Sequence, residues 1–202
     1  AYAVTVRLAP TSTDAQLAMA GRLLARHDGL YMQTHVAENR AELAWVAQLF
    51  PHARSYLDVY ARHGLLGPRA VLAHGSWLDD ADRALLARER AQIAHSPSSN
   101  LFLGSGLMPW RAHEDAGVPV SLATDVGGGT SLSLLRTMAD AYKVLKTTEP
   151  EEVKRTDPIL VYPVNGAIAI PADGTAAKAG TLKVRGYALP TAMGCKVAAP
   201  DR

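Results

Sequence analysis

Leu30-Tyr31-Met32-Gln33-Thr34-His35-Val36-Ala37-Glu38 joins a short apolar run to a histidine and then to a carboxylate. Residues 30–35 have the length and composition of a buried strand. Residues 38–50 carry Leu43, Val46, Ala47 and Phe50 at helical spacing and stop at Pro51. The same β-then-α unit recurs on both sides. Upstream, a strand over 3–7 precedes a helix opened by Thr13-Asp14-Ala15-Gln16, a capping box with a hydroxyl at the start and a Gln three residues later. That helix bears Leu17, Ala20, Leu23 and Leu24 and ends near 27–29. Downstream, a second short helix over 55–63 is followed by strand–helix pairs at 70–73 and 79–88, 91–94 and 109–116, and 118–124 and 131–145. Five such units with strands apolar on both faces predict an α/β fold with a parallel sheet covered by helices. Right-handed crossovers should join the strands. Periodicity alone leaves barrel and open sheet as alternatives.

The bulk properties fit one ordinary domain, or one with a small addition. The chain has 202 residues, 48% of them hydrophobic and 20% charged, and a formal net charge of +2. So even a charge balance argues against a general nucleic-acid or membrane-surface binder. The lone Cys195 excludes an internal disulfide framework and fits a reducing compartment. No apolar run approaches the roughly 20 residues of a membrane span, and no signal peptide is visible. A cytoplasmic location is therefore expected. The first residue is Ala1 within a strand-like run, so an upstream part is expected as well. Beyond about residue 146 the pattern changes. Thr148-Glu149-Pro150-Glu151-Glu152 reads as a linker. Short strands separated by Pro and Gly follow near 161–164, 167–170 and 181–187, with antiparallel pairing expected. The division expected is 1–146 for the α/β part and 147–202 for a β-rich tail.

The chemistry-bearing residues gather at one place in each unit. The strands end on Arg7, on His35 with Glu38 beyond it, on His74, on His95 and on Asp125. Parallel α/β folds build their sites at this edge of the sheet. A single histidine there is ordinarily structural. His35, His74 and Asp125 together point to a metal site, since two imidazoles and a carboxylate suit Zn²⁺ or Fe²⁺. His95 divides evenly between supporting that site and structure. His27, His52, His63 and His113 are expected at the surface. Glu38 has two readings: a helix N-terminal cap, or a proton shuttle beside the metal. Arg7 is read as an ion-pair partner, a solvated side chain or a donor to substrate. Ser99 and Asn100 are read as loop-internal caps. Gly127-Gly128-Gly129 lacks phosphate-loop spacing, and its expected task is a tight turn with close backbone approach after Asp125.

Four motifs, in this order and spacing, resemble the guanine deaminases of the zinc-dependent amidohydrolase superfamily. They are Thr34-His35-Val36-Ala37-Glu38-Asn39-Arg40, Ala73-His74-Gly75, the run from His95-Ser96-Pro97-Ser98-Ser99-Asn100 to Gly106, and Thr124-Asp125-Val126-Gly127-Gly128. The resemblance implies strands four to eight of a (β/α)8 amidohydrolase barrel. It implies His35, His74 and Asp125 as metal ligands and Glu38, His74 and Asp125 as catalytic residues. Arg7 and Leu8 would contact the substrate. The implied reaction is zinc-dependent hydrolysis of guanine to xanthine and ammonia, by a family that forms homodimers. The small-molecule purine is the implied partner, with no nucleic acid and no membrane.

The chain also departs from that pattern. It contains no His-x-His, which supplies two further metal ligands in the family, so impaired turnover is expected. Leu8 stands where an aromatic residue is common, Val6 where proline is, and Ser96 where cysteine is. A related amidohydrolase acting on another heterocycle, or an inactive barrel fragment, are the alternatives. In the tail, Pro163 to Ile168 and Leu182 to Ala188 resemble the start of the sulfite oxidase dimerisation domain, which would make the tail a piece of an unrelated protein.

Overall fold

A computed structural model of the chain describes residues 2–148 and the backbone of two short strands, Ile159–Val161 and Ile168–Ile170. The first part is a run of β and α elements. These are β1 (Ala3–Thr5), α1 (Asp14–Arg26), β2 (Tyr31–Val36), α2 (Arg40–Leu49), α3 (Tyr56–Arg62), β3 (Ala70–His74), α4 (Asp80–Glu89) and β4 (Gln92–His95). They continue with α5 (Pro97–Leu103), α6 (Trp110–Asp115), β5 (Val120–Leu122) and α7 (Leu134–Thr148). The expected capping box opens α1: the Gln16 amide donates to Thr13 Oγ1, and the Thr13 amide donates to Gln16 Oε1.

The strands pair in parallel in the order β1-β2-β3-β4-β5. That order settles what periodicity left open. A doubly wound sheet reverses direction at a switch point, whereas crossovers of one hand that always step the same way put every helix on one face. The sheet is therefore an arc of a (β/α) barrel wall. Among the described residues, β1 and β5 are its edges.

Burial follows this geometry. Leu72, Ile93 and Leu122 on the three strands β3, β4 and β5 are fully buried, as are Leu17, Leu57 and Leu86 on the covering helices. A second cluster packs Met138 and Ala141 of α7 against Leu122. No helix among the described residues is long and apolar enough to cross a membrane. Ile159–Val161 and Ile168–Ile170 pair antiparallel; the first ends where the strand expected near 161–164 begins, and the second lies within the one expected near 167–170. The expected strand near 181–187, Cys195 and the likeness to sulfite oxidases lie outside the described residues.

One buried hydroxyl ties three elements together. Tyr60 Oη on α3 accepts from the Ala9 amide at 2.9 Å and from Thr34 Oγ1 at 2.9 Å, and donates to the His35 carbonyl at 2.7 Å. Burial pushes its pKa up to about 12. Tyr60→Phe removes the acceptor of the buried Ala9 amide and the short bond to the His35 carbonyl, leaving Thr34 Oγ1 only its long contacts to the His35 and Arg7 carbonyls at 3.4 and 3.5 Å. We expect it to lower stability by about 1–3 kcal/mol, read as a drop in the urea midpoint at unchanged slope. An unchanged midpoint would contradict this role.

Candidate metal centre

Register places the first two ligands. In the β2–β3 ladder His35 lies opposite Ala73, and Val36 opposite His74, so both imidazoles emerge at the C-terminal edge one step apart. Their rings stand 5.7 Å apart, centroid to centroid. Asp125 arrives from the turn after β5. His35, His74 and Asp125 each offer a ligand atom, and these atoms lie within 4.8 Å of one another. His74 Nε2 is 3.8 Å from Asp125 Oδ2 and 3.7 Å from Glu38 Oε2.

The ring nitrogens decide whether a metal fits. His35 Nδ1 donates to the Arg7 carbonyl at 2.6 Å. His74 Nδ1 donates to Asn100 Oδ1 at 2.7 Å, and the amide is oriented by its own Nδ2–H bond to Ser76 Oγ at 2.9 Å. Both Nδ1 atoms therefore carry protons, and both Nε2 lone pairs are left for the centre. A metal-binding histidine ordinarily has its second nitrogen held by a carbonyl or carboxylate in this way. Two ligands of a tetrahedral ion stand roughly 3.4 Å apart, at bond lengths of about 2.1 Å. The observed 3.8 Å asks only for small closure. The donor set fits a divalent metal.

Asp125 is held by its turn. Its φ of 47° is left-handed, a region that aspartate tolerates better than most residues. A Cβ on Gly128 would lie 2.9 Å from Asp125 Oδ2 and 2.7 Å from Ser99 Oγ. The glycine run thus provides the tight turn and close approach expected of it, pressing backbone against the carboxylate.

Several expectations change here. Glu38 does not cap α2, because Asn39 does: its Oδ1 accepts from the Glu42 amide at 2.9 Å. The Glu38 carboxylate instead turns inward, accepting from Ser105 Oγ at 2.7 Å. Ser99 and Asn100 lie in a helix, α5, not a loop, since Pro97 fits a first helical turn. Both are buried, and Asn100 is the residue that orients His74. Sequence reasoning missed it because an Asn two residues beyond Ser98 in a Pro-Ser-Ser-Asn run also reads as turn chemistry. His113 is fully buried rather than at the surface, with Nδ1 on the Pro109 carbonyl at 2.9 Å. His63 is half-buried, while His27 and His52 are exposed. His95 is buried edge-on to Trp110, and burial, with His74 and His113 nearby, pushes it down to about 3, so it is neutral. The Arg7 side chain is exposed; its carbonyl is what touches the centre. Leu8 is half-buried in the same strand-end turn.

An arc of parallel β/α units with a His–His–Asp cluster and a carboxylate at its C-terminal edge defines a class: barrel hydrolases that work through a bound metal. The family model of the amidohydrolase family matches residues 2–188, and the chain belongs to that family. The matched span runs past residue 146 into the tail. Guanine deaminase of Escherichia coli is 43% identical over 145 residues, covering 72% of this chain and 33% of that protein. A solved structure of E. coli guanine deaminase superposes with a TM-score of 0.72, covering 73% of this chain and 34% of that one. Guanine deaminase from C. acetobutylicum, solved with guanine bound in the active site, is 32% identical with a TM-score of 0.69, covering 72% and 35%. An adenosine deaminase from Xanthomonas campestris, solved with bound zinc, is 27% identical with a TM-score of 0.65, covering 74% and 33%. The chain thus spans about a third of the length of these relatives.

Asn100→Leu removes the acceptor that fixes His74 and keeps the volume. Divalent-metal affinity should fall about 10–100-fold, read by competition with a chromogenic chelator. Unchanged affinity would show that Asn100 does not orient the ligand.

Proposed function

We propose that this centre holds Zn²⁺ and carries out the hydrolytic deamination of guanine to xanthine and ammonia, on strands four to eight of an amidohydrolase barrel. The observation that carries the reading is the convergence of Glu38 Oε2 and Asp125 Oδ2 on His74 Nε2, at 3.7 and 3.8 Å. Identity of 43% and 32% with guanine deaminases, against 27% with the adenosine deaminase, supports guanine as the substrate.

Bound Zn²⁺ would supply a water that ionises near neutral pH. His35 and His74 would hold the ion through Nε2, and Asp125 through a carboxylate oxygen. Asp125 would accept a proton from the water. Glu38, at the mouth of the centre, protonates the ring nitrogen adjacent to C2. The water oxygen would add to C2, with His74 stabilising the charge; the amine would leave as ammonia with the proton held by Asp125, and the new hydroxyl would return a proton to Glu38 as the C2 carbonyl forms. Arg7, at the end of β1, reaches the purine carbonyl, and Leu8 lies against the ring. Leu8 gives weaker ring contact than the aromatic residue common in the family.

The test supplies the 202-residue chain with one equivalent of Zn²⁺ and follows xanthine and ammonia. Guanine should be turned over in preference to triazine, imidazolone and adenosine-type rings, at a lowered rate because the chain has no His-x-His. Glu38→Gln should cut the rate by about 10²–10⁴-fold. Faster turnover of another ring, or no xanthine at all, would contradict the assignment.

A further inference from the structure

The Leu103-Gly104-Ser105-Gly106 segment is part of the family-like run, yet the proposed chemistry assigns it nothing. In the structure it closes over Glu38. Ser105 is buried, and its hydroxyl donates to Glu38 Oε1 at 2.7 Å. A hydroxyl–carboxylate bond of that length is charge-assisted and about twice as strong as a neutral one. With Oε1 occupied, Oε2 is the oxygen that faces His74 Nε2.

The loop is itself fastened. Trp77 Nε1 donates to the Ser105 carbonyl at 2.8 Å. A Cβ on Gly106 would lie 2.5 Å from the indole ring, and the φ of 127° at that residue favours glycine, so the backbone lies flat against Trp77. On α2, the Arg40 guanidinium stacks over the same indole, 4.3 Å from its centroid. Trp77 follows β3 two residues after Gly75, and its amide donates to the Ala37 carbonyl at 3.2 Å, next to Glu38 in the chain. Trp77 is thereby bonded to the backbone on both sides of the Glu38–Ser105 pair, through its amide at Ala37 and its indole at Ser105.

We propose that Ser105, locked by Trp77, is a positioning residue for Glu38: its hydroxyl takes one carboxylate oxygen and leaves the other aimed at the centre. The proton-moving consequence rests on the deaminase reading; the hydrogen bond itself does not.

The experiment therefore has two arms. In the first, the chain is labelled with ¹³C at the glutamate carboxyl carbons, and the Glu38 signal is identified by its loss in Glu38→Gln. Ser105→Ala should move that one signal at neutral pH, and Ser105→Thr should leave it near its original position. In the second arm, turnover of guanine is measured for Ser105→Ala, Ser105→Thr, Glu38→Gln and the Glu38→Gln/Ser105→Ala pair. Ser105→Ala should lower kcat about 10-fold with KM within about twofold, and threonine should restore it. In the Glu38→Gln background the alanine should cost nothing further, because its effect runs through the carboxylate.

An unmoved carboxyl signal overturns the inference whatever the turnover. A moved signal with unchanged kcat, or an equal loss in both backgrounds, overturns the positioning role. A moved signal in a chain that makes no xanthine supports the positioning contact and counts against the deaminase reading alone.

Discussion

The register of β2 against β3 is the constraint on which the site depends. Pairing His35 with Ala73 brings His74 one residue further along, so both rings clear the sheet at the same edge. A slip of one residue would move His74 about 3.3 Å along the strand, away from the groups it meets at this edge. The register is held by what lies beneath. Leu72 and Ile93 are fully buried and paired in the β3–β4 ladder, and Tyr60 bonds the His35 carbonyl from the helix side. Burial energy of the sheet interior is thus converted into the placement of two nitrogen atoms.

Placement alone would not make a ligand. An imidazole has two nitrogens, and its protonated one is useless to a metal. Here the choice is made by acceptors from different elements, the Arg7 carbonyl after β1 and the Asn100 amide on α5. Ser76 fixes which end of that amide accepts. The centre therefore draws on four strand ends and one helix, although its three candidate ligands come from three. Glu38 follows the same logic, with Asn39 capping the helix and Ser105 holding the carboxylate.

Much of this was legible in the sequence, and the reasons for the rest are physical. Five β/α units, the α1 capping box and the strand-end positions of His35, His74 and Asp125 follow from local periodicity, which the chain obeys closely. The arc of a barrel did not follow from periodicity, because strand order is a long-range property that no window of residues contains; the motif resemblance alone implied it. Asn100 and His113 were misread for a common reason. Asn100 beside a proline reads as turn chemistry and His113 on a short helix as a surface residue, and only long-range contacts, Asn100 with His74 and Ser76 and α6 with β5, show them to be interior. Ser105 bonds a residue 67 positions away, and nothing local announces that.

The central claim is that His35, His74 and Asp125 share one metal ion with Glu38 facing it. Diffraction from crystals of the zinc-loaded chain, recorded on both sides of the zinc absorption edge, addresses it directly. A single anomalous peak is expected at bonding distance from Nε2 of both histidines and from an Asp125 oxygen, with both Nδ1 atoms still on Arg7 and Asn100. A peak elsewhere, or one bonded through either Nδ1, would contradict it.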